Sequence, residues 1–399
     1  MRRSLLLLLS LSLASCSKAQ AQPVDDPLVV HEWGTFTSFE GADGVTVDGM
    51  QHETEPLPSF VASRLSPQTS PLAIYGDASR DVPVRRCRGK METPVIYFHT
   101  KQARHVSVHV DFQGLLTQWY PRASRTTPIF TGSEQHDLGA VASSSLEWEL
   151  DLVPRGGPAP PRVDGASDWQ KAREVDAALV KSGDDAERYV FYRGLMKSIA
   201  QPRIVAAEGG RVRVTTPSPI AAAFALEMRE DVGRFVALGP TAGDRDVTLD
   251  APMRPKKEVV AALAAAMKDA LVKDGLYDDE AVAMIRTWTP TWFATEGTRV
   301  VYLVPRSITD ATLPLRISPT PAALVRTLVG RVEYLAPERR VALEAAVRAA
   351  AYDDDAAAFR AIAKLGRFAE PAVRSVQTGA RDEATRDAAT LVLPHITSM

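Results

Sequence analysis

The chain has 399 residues, with 47 Lys and Arg against 49 Asp and Glu and a formal charge of −2. That balance gives no electrostatic footprint for nucleic acid, so no nucleic-acid partner is expected. The length suggests two or three domains, and 45% hydrophobic residues are ample for a core.

Residues 1–15 carry a basic start, Arg2-Arg3, then an apolar run to Leu13 broken by Ser10 and Ser12. That order predicts a secretory signal peptide, too short to span a bilayer. Leu13-Ala14-Ser15-Cys16 resembles the lipobox of bacterial lipoproteins. The resemblance implies cleavage before Cys16 and acyl chains on its sulfur and amine, which together make a stable membrane anchor. Ser17, where an inner-membrane retention signal would carry Asp, points to the outer membrane of a bacterial envelope, facing periplasm or surface. Residues 16–26 read as a flexible tether.

Beyond the tether, VVHEWGTFTSF (29–39) alternates and is rich in β-formers. A regular strand puts His31, Trp33 and Thr35 on one face and Glu32, Gly34 and Phe36 on the other. PVIYFHT (94–100), HVSVHVDF (105–112) and SLEWELDL (145–152) read as further strands. The third of these four buries Val106, Val108, Val110 and Phe112 and exposes His105, Ser107, His109 and Asp111. These strands predict a β-rich, sandwich-like domain over 27–153, ended by the Pro/Gly-rich stretch 154–165.

A mixed α/β domain is expected over 166–335. Asp168 caps a helix to about Lys181. Short strands follow near 189–192, 203–206, 211–215, 223–228 and 234–238. An alanine-rich helix over 256–272 is closed by Gly275, and a second helix from Asp278 is interrupted by Pro290. Residues 299–304 return to strand. Residues 336–399 are alanine-rich and helical, and AIAKLGRFAEPAVRSV (361–376) resembles a HEAT-type turn. Three or four helices are barely enough repeats to bury a shared face, so this tail is expected to pack on the body. The fold class is therefore α+β.

VHEWGTFTS (30–38), KMETPVIYFH (90–99), QWYP (118–121), GLYDDEAVAMIRTW (275–288), EGTRVVYLVPR (296–306) and LVGRVEYL (328–335) together resemble a family of secreted bacterial proteins of myxobacterial and planctomycete type. The resemblance covers most of 29–335. It implies one architecture and lends no catalytic residue.

Three kinds of chemistry compete. The first is a divalent metal site, zinc or copper, drawn from His31, His52 and Glu55. His109 and Asp111 share a strand face about 7 Å apart and could also close on one ion. The bland alternative makes all these histidines surface or hydrogen-bonded core residues. The second is two-carboxylate hydrolysis of an envelope or extracellular polymer, with Glu32 and Glu92 as the pair. Trp33, Trp119 and Tyr120 would then form a stacking wall for the ligand, against the alternative that they are core. The third is binding of a ligand or protein partner, with Trp288-Thr289-Pro290-Thr291-Trp292-Phe293 as an adhesive patch if exposed. Cys87 has no intramolecular partner once Cys16 is acylated. It is read as a buried small residue, a metal ligand or an intermolecular thiol.

Overall fold

The computed structural model describes residues 26–52, 57–64, 87–128, 143–154, 156–163, 168–197 and 200–397. Residues 1–15, read above as a signal peptide, Cys16 and Glu55 lie outside the described residues. The fold is α+β, built on three sheets and a helical C-terminal end.

A ten-stranded sheet has Val29–Glu40 at its middle. Ala323–Tyr334 pairs with it in parallel on one side, and Gly89–His99 pairs antiparallel on the other. Beyond Ala323–Tyr334 come Gly297–Leu303, Ala223–Met228, Val232–Ala237 and Arg254–Pro255. Beyond Gly89–His99 come Val190–Met196, Leu115–Tyr120 and Ala62–Ser63. The sheet thus takes strands from both sides of the Pro/Gly-rich stretch. That stretch is a connection across one sheet, and the 27–153 and 166–335 segments do not form separate sheets.

Three apolar interiors follow. On one face of the large sheet, Val30, Phe36, Ile96 and Phe98 meet Val106, Val108, Trp148 and Leu150 of a six-stranded sheet. The alternation read in 105–112 and 145–152 is the pattern observed in Arg104–Phe112 and Ser144–Val153. The sandwich geometry is therefore present, with its second wall shared by strands from far along the chain. On the other face, Trp33, Tyr97, Leu226 and Val301 meet Val259, Leu263 and Met267 of helix Lys256–Asp274 and Met284 of helix Asp278–Trp288. The third interior joins Phe39, Cys87 and Leu335 to the tail helices Pro337–Tyr352, Ala356–Ala363, Ala369–Thr378 and Glu383–Thr397. The tail packs on the body, as its shortage of repeats predicts.

Being sandwiched on both faces explains why Val29–Glu40 is buried almost throughout, unlike the half-exposed Arg104–Phe112. Its register shifts between Trp33 and Thr35. Gly34 sits at that irregularity, where a Cβ would lie 2.8 Å from Pro94 Cα, so only glycine lets the two strands approach.

Two local expectations change. The helix beginning at Asp168 ends at Ala172, because Leu179–Ser182 is recruited as a strand beside Ser144–Val153. The helix from Asp278 ends at Trp288 and continues as one π-turn, Thr289–Phe293, which accommodates Pro290. Trp288, Trp292 and Phe293 are buried, so this aromatic run pins helix to sheet and offers no adhesive patch.

Candidate metal centre

The antiparallel register places Val29 opposite His99 and His31 opposite Tyr97. His31 and His99 are therefore diagonal neighbours on one face of the large sheet. Helix Asp278–Trp288 begins above them, after Gly275 turns the chain with φ 120 at the end of the preceding helix. The third helical residue, Glu280, points at the sheet. Its Oε2 lies 2.7 Å from His31 Nδ1, and its Oε1 lies 3.0 Å from His99 Nε2. Tyr277 N–H donates to the same Oε2 at 2.8 Å. The Tyr277 ring covers both imidazoles, with centroids 4.4 Å from His31 and 4.8 Å from His99.

Glu280 is 0% exposed and His31 2%, while the His99 side chain retains 14% and Tyr277 45%. The site is thus closed below and open at its His99–Tyr277 edge. Burial works against the charge of Glu280. The hydrogen bonds with His31 and His99 outweigh it and hold the carboxyl below its usual range. The helix N-terminus favours an anion at the same place.

Among the described residues this is the one group of three or more His, Cys, Asp and Glu whose ligand atoms, one from each residue, all fall within 4.8 Å of one another. Tetrahedral zinc at its usual bond lengths spaces its ligand atoms about 3.3 Å apart. In the present arrangement the two imidazoles contact different oxygens of Glu280, at 2.7 and 3.0 Å, so an ion would have to draw the three side chains from these hydrogen bonds onto one centre. Two imidazoles and a carboxylate suit zinc. The sulfur that would favour copper is missing, since Cys87 is buried elsewhere and bonds Gly89 O at 3.4 Å.

The sequence-based set is thus redistributed. His31 belongs to the cluster. His52 does not: its Nε2 sits 2.5 Å from Glu370 Oε2 on the tail. Glu32 and Glu92 are not a free acid–base pair. Glu32 is bound by Arg326 at 2.5 Å and by the Tyr192 hydroxyl. Glu92 is bound by Arg367 and accepts from Thr37 Oγ1 at 2.9 Å. Trp33, Trp119 and Tyr120 are all buried, and they fall in two interiors on opposite faces of the sheet, so they form no ligand-stacking wall. His109 and Asp111 do close to 2.9 Å, as their spacing predicts, but as a half-buried pair joined by Glu147.

His99 and Glu280 are the members of this cluster that lie outside the sequence-based metal set, and Glu280 is the one that sequence reasoning missed altogether. DDE at a helix start reads as ordinary dipole compensation, and nothing local says that the third position faces a sheet. No protein-family model matches the chain, and no curated protein matches it.

Proposed function

We propose that this protein is a lipid-anchored component of a bacterial envelope that binds a divalent cation, zinc by ligand chemistry, through His31, His99 and Glu280. The observation that carries the metal reading is the convergence of two imidazoles and one buried carboxylate at a solvent-reaching edge. Three protein ligands leave a fourth position for water or a ligand, the arrangement of catalytic rather than structural zinc. The envelope part rests on the lipobox resemblance at Cys16.

A second reading is favoured by the Tyr277 N–H bond: Glu280 is a metal-free clamp fastening the helix start to the sheet. Zinc titration separates the two. The full chain carrying Cys16→Ser, purified without a chelating tag, is titrated calorimetrically and its metal content measured by elemental mass spectrometry. One zinc per chain, lost in His99→Gln and Glu280→Gln but not in His109→Gln, supports the metal reading. Failure of the folded wild type to bind zinc overturns it and leaves the clamp.

A further inference from the structure

A second site stands apart from the metal cluster, where the tail docks on the end of the large sheet. A cavity of about 250 Å³ opens there, with Phe39, Leu335, Leu343, Leu365 and Phe368 as apolar walls. Three charged side chains line it besides Glu333: Glu296, Arg339 and Lys364. Arg339 and Glu296 pair only loosely, at 3.7 Å.

The charges at and behind the floor do not balance. Glu333 is shared by two buried guanidiniums, Arg299 Nε at 2.9 Å and Arg331 Nη2 at 2.8 Å. Arg331 also lies 4.8 Å over the Phe368 ring, placing its charge against the cavity wall. Arg367, behind the same ring at 5.1 Å, is neutralised by Glu92. Of the charged residues that line the cavity, Glu333 is thus offset from behind by the buried Arg299 and Arg331, which leaves Arg339 and Lys364 against Glu296. A low-dielectric pocket with apolar walls and surplus cations attracts an anion that carries an apolar body.

We infer that this cavity binds a small amphiphilic carboxylate, its chain among Leu343, Leu365 and Phe368 and its head toward Arg339 and Lys364. The volume is at the small end of ligand cavities and takes roughly ten non-hydrogen atoms, the size of octanoate. Guanidinium and ammonium groups supply the polar recognition, and the tail helices supply most of the apolar wall. The proposal does not depend on zinc.

The test is calorimetric titration of the full chain carrying Cys16→Ser, without added zinc, using octanoate and the neutral 1-octanol. Ala361 and Lys364 line the cavity from exposed positions. Ala361→Trp and Lys364→Glu should therefore keep the wild-type thermal midpoint, which is checked first. Saturable one-to-one octanoate binding is expected, at least tenfold tighter than octanol. Ala361→Trp should abolish it, and Lys364→Glu should weaken it several-fold. No saturable octanoate binding, equal affinity for octanol, or full binding by folded Ala361→Trp would each overturn the proposal.

Discussion

Glu32 and Arg326 stand directly opposite each other in the parallel pair of the large sheet and meet as a buried ion pair at 2.5 Å. Tyr192 donates to the other Glu32 oxygen, and Arg326 reaches on to Asp310 at 2.8 Å and Leu313 O at 2.7 Å. A carboxylate so enclosed holds strands together. Glu32→Ala leaves a buried guanidinium without its main partner, so we expect a loss of about 3–5 kcal/mol in denaturant unfolding. Zinc affinity, measured on whatever fraction stays folded, should not change.

His52 makes the complementary case. Its imidazole, Gln51 Nε2 at 2.8 Å and Arg374 Nε at 2.7 Å all converge on buried Glu370 of the tail. His52→Ala should cost about 1–3 kcal/mol by loosening this polar junction. Zinc titration of the variant should match wild type. A lost zinc site in His52→Ala would return His52 to the metal set.

Two buried glutamates give stability opposite pH slopes. Burial pushes Glu40 up to about 8, against the Ile204 N–H at 2.7 Å and Gln201 at 3.0 Å. Its folded form keeps a proton that the unfolded chain releases near the usual 4.5, so this group's stabilisation falls as pH rises from about 5 to 8. For Glu92 burial acts the same way, but Arg367, Lys90 and Arg193 override it and hold the carboxyl down to about 2. Its contribution is present above about 4.5, is lost as pH falls toward 2, and is on the order of 3 kcal/mol. Urea midpoints across pH should fall toward both ends of this range. Glu40→Gln should flatten the alkaline side alone.

Cys87 lies in the interior shared by the sheet end and the tail, and burial pushes its thiol up to about 12. A protonated, enclosed thiol is a poor nucleophile. Iodoacetamide should leave the native protein unlabelled, and labelling in rising urea should track exposure of the sheet–tail interior. Rapid labelling without urea would show that the tail opens in the native state.

In the reading proposed above, Cys16 carries the localisation. Cys16→Ala should release the protein from membranes under carbonate washing. Retention of that variant would refute acyl anchoring.

Legibility in the chain followed the range of the interactions. Val106, Val108, Val110 and Phe112 declare their strand because one face is dry and the other wet. Lys256–Asp274 declares its helix and its stop at Gly275. The tail declares itself by alanine and its breakers. Val29–Glu40 was legible as a strand, but its position was not, because a strand buried on both faces can sit anywhere inside a sheet. The metal cluster was half legible. His31 drew notice, while its partners come from 68 and 249 residues away and meet it only through sheet register and a helix start. The Asp168 helix was overread because Leu179–Ser182 pairs as a strand between Ser144–Val153 and Asp185–Glu187, a long-range partnership that local pattern does not display.

The parallel pairing at the sheet's middle also sets the order of assembly. Glu32 waits for Arg326, 294 residues downstream, before its strand is flanked on both sides. Until then Val29–Glu40 has one bare edge and uncovered Val30, Trp33, Phe36 and Phe39, which is a template for aggregation. Such long-range closure is slow and resists folding during synthesis. A truncation that removes Ala323–Tyr334 should therefore yield insoluble chain rather than a smaller folded protein, and a holding chaperone has most to do in the interval before that strand arrives.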